Sequence, residues 1–312
     1  MIREEFHFLS KDAKTKIHGV RWIPEGEQIQ GVIQLVHGMQ EHIGRYEELA
    51  EFMASQGWLV VGHDHLGHGT SVRDHEHLGY FCKSKASDVL VADIYQVTAI
   101  TKGMYADLPY VIFGHSMGSY LVRKYLTIYS EEIDGAVICG TGYVPTELCR
   151  MGMCVCALLA TFRGWHYRSK MVSKLTFGKP YRKFCMDDSE LENSWLCTDT
   201  ERVKKFYADP LCNAPFTLNA FYGLFSTVAY NNEESRIAQI RKDLPMRIIS
   251  GSQDPVGDAG LGVKRVYQRY KKAGLDYVTM KLYEGDRHEL VNEPDRMDVF
   301  EDVLAFCDKC KA

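Results

Sequence analysis

Apolar positions along the chain fall into two alternating patterns. Short apolar runs at residues 31–37 (GVIQLVH), 58–62 and 110–113 are bounded by Gly38, Gly57 and Pro109. Runs of this length with such boundaries predict buried strands. Between them, apolar residues recur at three- and four-residue spacing. Residues 46–56 carry Leu49, Phe52 and Met53 on one face and stop at Gly57, which predicts a helix; 88–101 and 117–129 read the same way. A strand over 133–139 follows. The alternation returns late with strands at 246–250 and 277–283, a helix over 263–272 and a terminal helix from Pro294. Strands alternating with helices predict an α/β fold with a mainly parallel sheet.

Residues 142–230 break the pattern. They hold an apolar run, 151–162, bounded by Arg150 and Arg163, and then segments rich in Lys, Tyr and Phe. About ninety residues without strand periodicity is too much for a loop. The stretch predicts an inserted helical subdomain, with 1–141 and 231–312 forming the core. An insertion at the C-terminal end of a strand lies where ligands bind in open α/β sheets. It also carries Arg163, Arg168, Lys170, Lys174, Lys179, Arg182 and Lys183 without an intervening acid, interleaved with Trp165, Tyr167, Phe177 and Tyr181. Two readings stand: a cap that docks on anionic lipid or holds a lipid phosphate, and an ordinary helix followed by a solvated basic face.

Composition narrows the classes. With 312 residues, 46% of them hydrophobic, the chain can bury a sizeable core, and disorder is excluded. Its 37 Lys and Arg against 41 Asp and Glu give a net charge of −4, with no bulk attraction to nucleic acid, so no nucleic-acid partner is expected. No apolar run reaches the roughly 18–20 residues of a membrane span. The start, Met-Ile-Arg-Glu-Glu-Phe-His, lacks the apolar core of a signal peptide, so a reducing, cytoplasmic setting is expected, with contact to a membrane only at its surface. Seven of the ten cysteines lie from Cys139 to Cys212, where free thiols read as apolar filling of the insertion. Cys307 and Cys310 lack the second pair that a zinc site needs and read as the apolar side of the last helix.

The chemistry centres on Gly114-His115-Ser116-Met117-Gly118, which follows a strand and opens a helix. That is the context of a nucleophile elbow, where small flanking residues let a sharp turn push the serine out above the sheet. A serine hydroxyl needs a base that is itself oriented by an acid, in the chain order Ser, Asp or Glu, His. After Ser116 the histidines are His166, in the insertion, and His288, just past a strand. Asp254 follows the strand at 246–250 and completes the order Ser116, Asp254, His288; Asp258, Glu284 and Asp286 compete for its place. The oxyanion donors expected are the backbone amides of Met117, next to the serine, and Met39, after the strand ending in His37-Gly38. Seven of twelve histidines fall between His37 and His77, and His63-Asp64-His65-Leu66-Gly67-His68 approaches a binuclear-metal motif. Gly67 stands where that motif needs an aspartate, so no metal and no cofactor are expected.

The motifs HGMQEHIGRY (37–46), DHLGHGTS (64–71), GHSMG (114–118) and GSQDP (251–255) resemble those of the monoacylglycerol lipase and lysophospholipase branch of the α/β-hydrolase superfamily, a branch grouped with serine aminopeptidases. The resemblance implies an eight-stranded sheet with a helical cap, and it places Gly38, Glu41, His42, Arg45 and His115 at the pocket and its entrance. The expected reaction is hydrolysis of a small-molecule ester with one acyl chain through an acyl-enzyme. An aminopeptidase or amidase, with Glu190, Glu192 or Glu201 holding the substrate's amino group, and a short-chain or aromatic esterase are the alternatives. A non-catalytic binding protein is a third, disfavoured by the intact serine, aspartate and histidine.

Overall fold

The computed structural model describes residues 1–26 and 28–311. In chain order its elements are β1 (Ile2–Leu9), β2 (Lys16–Ile23), β3 (Gly31–Val36), α1 (Glu47–Ser55), β4 (Trp58–His63), α2 (Ala86–Met104), β5 (Tyr110–His115), α3 (Met117–Tyr129), β6 (Gly135–Cys139), α4 (Thr146–Arg163), α5 (Lys170–Thr176), α6 (Thr200–Ala208), α7 (Leu218–Asn231), α8 (Glu234–Ile237), β7 (Met246–Gly251), α9 (Leu261–Lys272), β8 (Val278–Tyr283) and α10 (Arg296–Lys309). The strands form one sheet in the order β1-β2-β4-β3-β5-β6-β7-β8. β2 pairs antiparallel with β1 and β4, and the other neighbours are parallel. This is the α/β-hydrolase architecture.

The central strands are apolar on both sides because helices cover both faces. Alternation along each strand sorts its residues. Val32 of β3 and Ile112 of β5 join a cluster with Leu90 and Ile94 of α2, Leu121 of α3 and Val266 of α9. Ile33, Val111 and Phe113 pack on the other face with Leu49 and Met53 of α1 and Phe300 of α10. The β1–β2 hairpin, which the apolar pattern did not mark, adds the antiparallel edge. β1 carries Arg3, Glu4 and Glu5 and is exposed or only partly buried along its whole length, as an edge strand that must discourage pairing with other chains should be.

Residues 142–230 hold α4 to α6 and all but the last residue of α7, with no strand among these described residues. The insertion is welded to the core on one side: Cys156 of α4, Val172 of α5 and Leu218 and Phe221 of α7 belong to the same apolar cluster as α2 and α3. A smaller cluster of Leu196, Cys197, Val203, Phe206 and Cys212 supports its other half. All ten cysteines are free; Cys154 on α4 is exposed and Cys185 partly so, which departs from the expectation of apolar filling for those two.

Candidate active site

β5 ends in His115, and α3 begins at Met117. Ser116 lies between them with φ 53° and ψ −120°, a left-handed backbone that costs a non-glycine residue about 1–3 kcal/mol and is held by its surroundings. Its N–H donates to the carbonyl of Cys139 on β6 at 3.0 Å. Gly118 is required sterically, because a Cβ there would collide with the carbonyl oxygens of Val36 and His37. The chain thus turns sharply at the end of a central strand and presents the hydroxyl at a helix N-terminus.

Ser116 Oγ lies 2.8 Å from His288 Nε2, and His288 Nδ1 lies 3.0 Å from both carboxylate oxygens of Asp254. Asp254 is fully buried; its Oδ2 accepts from Ser250 Oγ at 3.1 Å and its Oδ1 from the Val256 N–H at 2.8 Å. These bonds fix the carboxylate, which in turn fixes the imidazole with its second nitrogen toward the serine. In this geometry the ring can take the hydroxyl proton. Of the competing acids, Asp258 and Glu284 are exposed. The Asp286 carboxyl is pushed up to about 7, first by burial and then by Glu293, Asp295 and Asp298. His166 stacks on Tyr80 with ring centroids 3.8 Å apart, at a separate place in the insertion.

The loop after β3 closes on Ser116 from the other side. A Cβ on Gly38 would sit 2.9 Å from Ser116 Cβ and 2.6 Å from Glu41 Oε1, so only glycine permits this approach. Met39 follows it, and Met117 is the first residue of α3, whose N–H is among the helix's unpaired donors. Gln40, with φ 58°, ties the loop to the insertion: its side-chain amide donates to Ala214 O at 2.9 Å, and Asn213 N–H donates to Gln40 O at 3.1 Å.

Behind the serine stands a buried charge network. Glu41 accepts from the Gly38 N–H (2.5 Å), the Tyr46 hydroxyl (2.8 Å) and Arg45 Nη1 (2.8 Å). Arg45 also grips Glu289 with two bonds of 2.7 Å. His115 places Nδ1 3.2 Å from Glu41 Oε1 and Nε2 3.2 Å from the carbonyl oxygen of His288. Both partners are acceptors, so the ring satisfies both only as an imidazolium. Burial works against that charge, but the hydrogen bond to Glu41 and its attraction leave the pKa above the ordinary value. Two buried anions and two buried cations therefore balance. The resemblance placed Glu41, Arg45 and His115 at the pocket and its entrance. In the fold Glu41 is 3% and His115 2% exposed, and the two face one another at 3.2 Å beside Gly38. His42 does stand at the junction with the insertion, where its Nε2–H donates to Asp209 at 2.8 Å. Donor atoms of His42, Asp209 and Cys212 lie within 4.8 Å of one another. Because His42 Nδ1 accepts from the Gly44 N–H, its proton sits on Nε2 and no lone pair is free for an ion.

The histidine-rich segments form a buried layer beside the site. His37, His63, His65 and His68 are at most 3% exposed. Burial, first of all, pushes His63 and His68 down to about 4. These rings are neutral when folded and protonate near 6.5 when unfolded. Stability that is fully present above pH 6.5 is therefore lost as pH falls toward 4, by about 3 kcal/mol for each of the two at the lower end. Thermal melts should show Tm dropping through this window. His63→Leu, which removes a ring with both nitrogens unpartnered, should flatten the drop. An equal slope in that variant contradicts the assignment.

The model of the family described as serine aminopeptidase, S33, matches residues 27–295. The chain belongs to that family. A monoacylglycerol lipase of Mycolicibacterium smegmatis is 28% identical over 311 residues, 97% of this chain and 96% of its own length. Monoglyceride lipase of Mus musculus is 28% identical over 274 residues, 87% of this chain and 79% of its own. Among solved structures, a highly thermostable carboxyl esterase of Bacillus coagulans in complex with glycerol superposes over the whole of both chains, with a TM-score of 0.91 and 26% identity. Within this S33 chain, two groups beside the site escaped the sequence reading. Glu289 gives its carboxylate to Arg45, and Trp195 of the insertion lies on the His288 ring. Glu289 had a signal, its adjacency to His288; Trp195 had none.

Proposed function

We propose that the protein is a serine hydrolase that cleaves carboxyl esters of single-chain lipids, monoacylglycerols or lysophospholipids, through an acyl-enzyme. The observation that carries the reading is the 2.8 Å approach of Ser116 Oγ to a His288 ring held by Asp254. The names of the aligned lipases and of the superposed esterase support the ester as the bond cleaved. His288 takes the Ser116 proton as the oxygen attacks the ester carbonyl, and the amides of Met39 and Met117 receive the oxyanion. The alcohol leaves with the proton from His288. Water, deprotonated by the same ring, then releases the fatty acid. Glu190, Glu192 and Glu201, the groups an aminopeptidase would need over the serine, are exposed, which favours the ester.

The insertion, residues 142–230, acts in this reading as a cap that meets the lipid surface. No described helix is long and apolar enough to cross a membrane. Phe162 is 80%, Leu175 68% and Leu158 63% exposed on α4 and α5, with Arg163, Lys170 and Lys174 beside them. Such a face suits an anionic interface, where apolar side chains enter the headgroup layer and cations meet its charge.

Purified protein assayed on a monoacylglycerol, a lysophospholipid, p-nitrophenyl esters from acetate to palmitate and an aminoacyl anilide decides the matter. The highest kcat/KM is expected on single-chain lipids, with binding to phosphatidylglycerol vesicles that weakens as salt rises. A preference for the anilide or for acetate overturns the lipid reading, and equal binding to neutral vesicles overturns the interface.

A further inference from the structure

One side chain of the insertion lies on the ring of His288. Trp195 stacks on His288, with ring centroids 5.0 Å apart and planes 28° from parallel. The indole is flanked in turn by Tyr181, in a T-shaped contact at 5.5 Å, and by the tilted ring of Phe177 at 6.0 Å. Its backbone is bolted to the His288 loop on both sides of that histidine. Arg287 Nη1 donates to the carbonyls of Glu192 at 3.1 Å and Ser194 at 2.5 Å. The Glu289 N–H donates to Leu196 O at 2.7 Å, and the Thr198 N–H to Glu293 at 2.8 Å. Residues 192–198 therefore follow the His288 loop as one piece, and the indole follows the imidazole.

This contact changes character during the reaction. As the base, His288 carries a positive charge once it has taken the Ser116 proton. A cation within about 6 Å of an indole face is attracted by the ring's quadrupole, more so where water is excluded. The charge also develops beside a like charge, because the His115 ring lies 4.7 Å from His288 and its two acceptors require it protonated. Asp254 lies at the Nδ1 edge of the ring, whereas Trp195 covers a face.

We propose that Trp195 is a positioning residue that fixes the His288 ring and, through its indole face, stabilises the imidazolium formed in acylation and again in deacylation. The proposal rests on the reading of Ser116 and His288 as nucleophile and base. An interaction stronger in the transition state than in the ground state raises kcat rather than lowering KM.

Graded fluorination of tryptophan tests it, since fluorine drains the π face while scarcely changing its shape. The full-length enzyme is prepared with ordinary, 5-fluoro- and tetrafluorotryptophan, and kcat and KM are measured on a p-nitrophenyl ester and a monoacylglycerol. Trp22, Trp58 and Trp165 are replaced too, so Trp195→Leu carrying the same analogues is the control. The expected result is a stepwise fall in kcat of about 3- to 30-fold overall, with KM little changed and the control flat. Trp195→Phe, which keeps an aromatic face, should lose less than Trp195→Leu. A wild type as indifferent to fluorine as the control, or equal losses in the Phe and Leu variants, overturns the proposal. If the unsubstituted enzyme turns over no carboxyl ester, the reading of the site fails, and the proposal with it.

Discussion

Ser116→Ala should leave a folded protein whose ester turnover is lower by roughly 10⁵- to 10⁶-fold. The substitution removes only Oγ; the Cβ and the turn that carries it remain, so circular dichroism and Tm should hardly move. His288→Ala should cost about as much, and the double variant little more, because nucleophile and base act as a unit and the second loss finds nothing left to remove. Reaction with a fluorophosphonate probe should vanish with Ser116 as well. The kinetic measurement is kcat on the best substrate of the ester series, made alongside the melts. Turnover within tenfold of the wild type in a folded Ser116→Ala protein would end the proposal that this hydroxyl is the nucleophile.

Arg45→Met should be strongly destabilising although it leaves Ser116, Asp254 and His288 untouched. The side chains of Arg45, Glu41 and Glu289 are 11%, 4% and 4% exposed, and the guanidinium bonds both carboxylates. Methionine keeps an apolar stem against Phe206, over which the guanidinium now lies 4.7 Å from the ring centroid, but it abandons two buried carboxylates. Removing one partner of a buried ion pair costs about 3–5 kcal/mol, on the order of 10 °C in Tm for a domain of this size. In the variant an unpaired buried carboxylate gains by taking up a proton, so the deficit should shrink as pH falls from 8 toward 6. A loss below about 1 kcal/mol, or one that is flat with pH, would show that the network stores little. Activity should suffer with stability, because Glu41 holds the Gly38 N–H and Glu289 follows His288 directly.

Much of the sheet was legible in the sequence. β3 to β8 coincide with the strands read from the sequence to within two residues; β3 to β6 are buried along their whole length, so apolar residues dominate them. β1 escaped because an exposed edge alternates charges instead. The turn at Ser116 was legible for a steric reason: two glycines around a serine, between a strand and a helix, leave few alternatives. The order Ser116, Asp254, His288 was proposed from the sequence as well, although four acids could have filled the second place. Among those four, it is Asp254 that lies 3.0 Å from His288 Nδ1.

The residues around the histidine were less readable, and Glu41 and Arg45 show why. As letters they are charged groups that the family resemblance assigns to a pocket entrance. In the fold they turn inward: Arg45 bonds both Glu41 and, 244 positions away, Glu289, which makes a buried brace of these charges. Trp195 is the extreme case, since nothing in Asn193-Ser194-Trp195-Leu196 marks a neighbour of His288. The sequence alone determined the strand–helix alternation and the serine turn, because each follows from local sterics and periodicity over a few residues. Which acid orients the histidine, which charges cancel behind the serine and which aromatic face the imidazole meets were decided only by tertiary structure. Those choices depend on separations of a few ångströms between positions remote in the chain, where hydrogen bonds, ion pairs and ring stacking act.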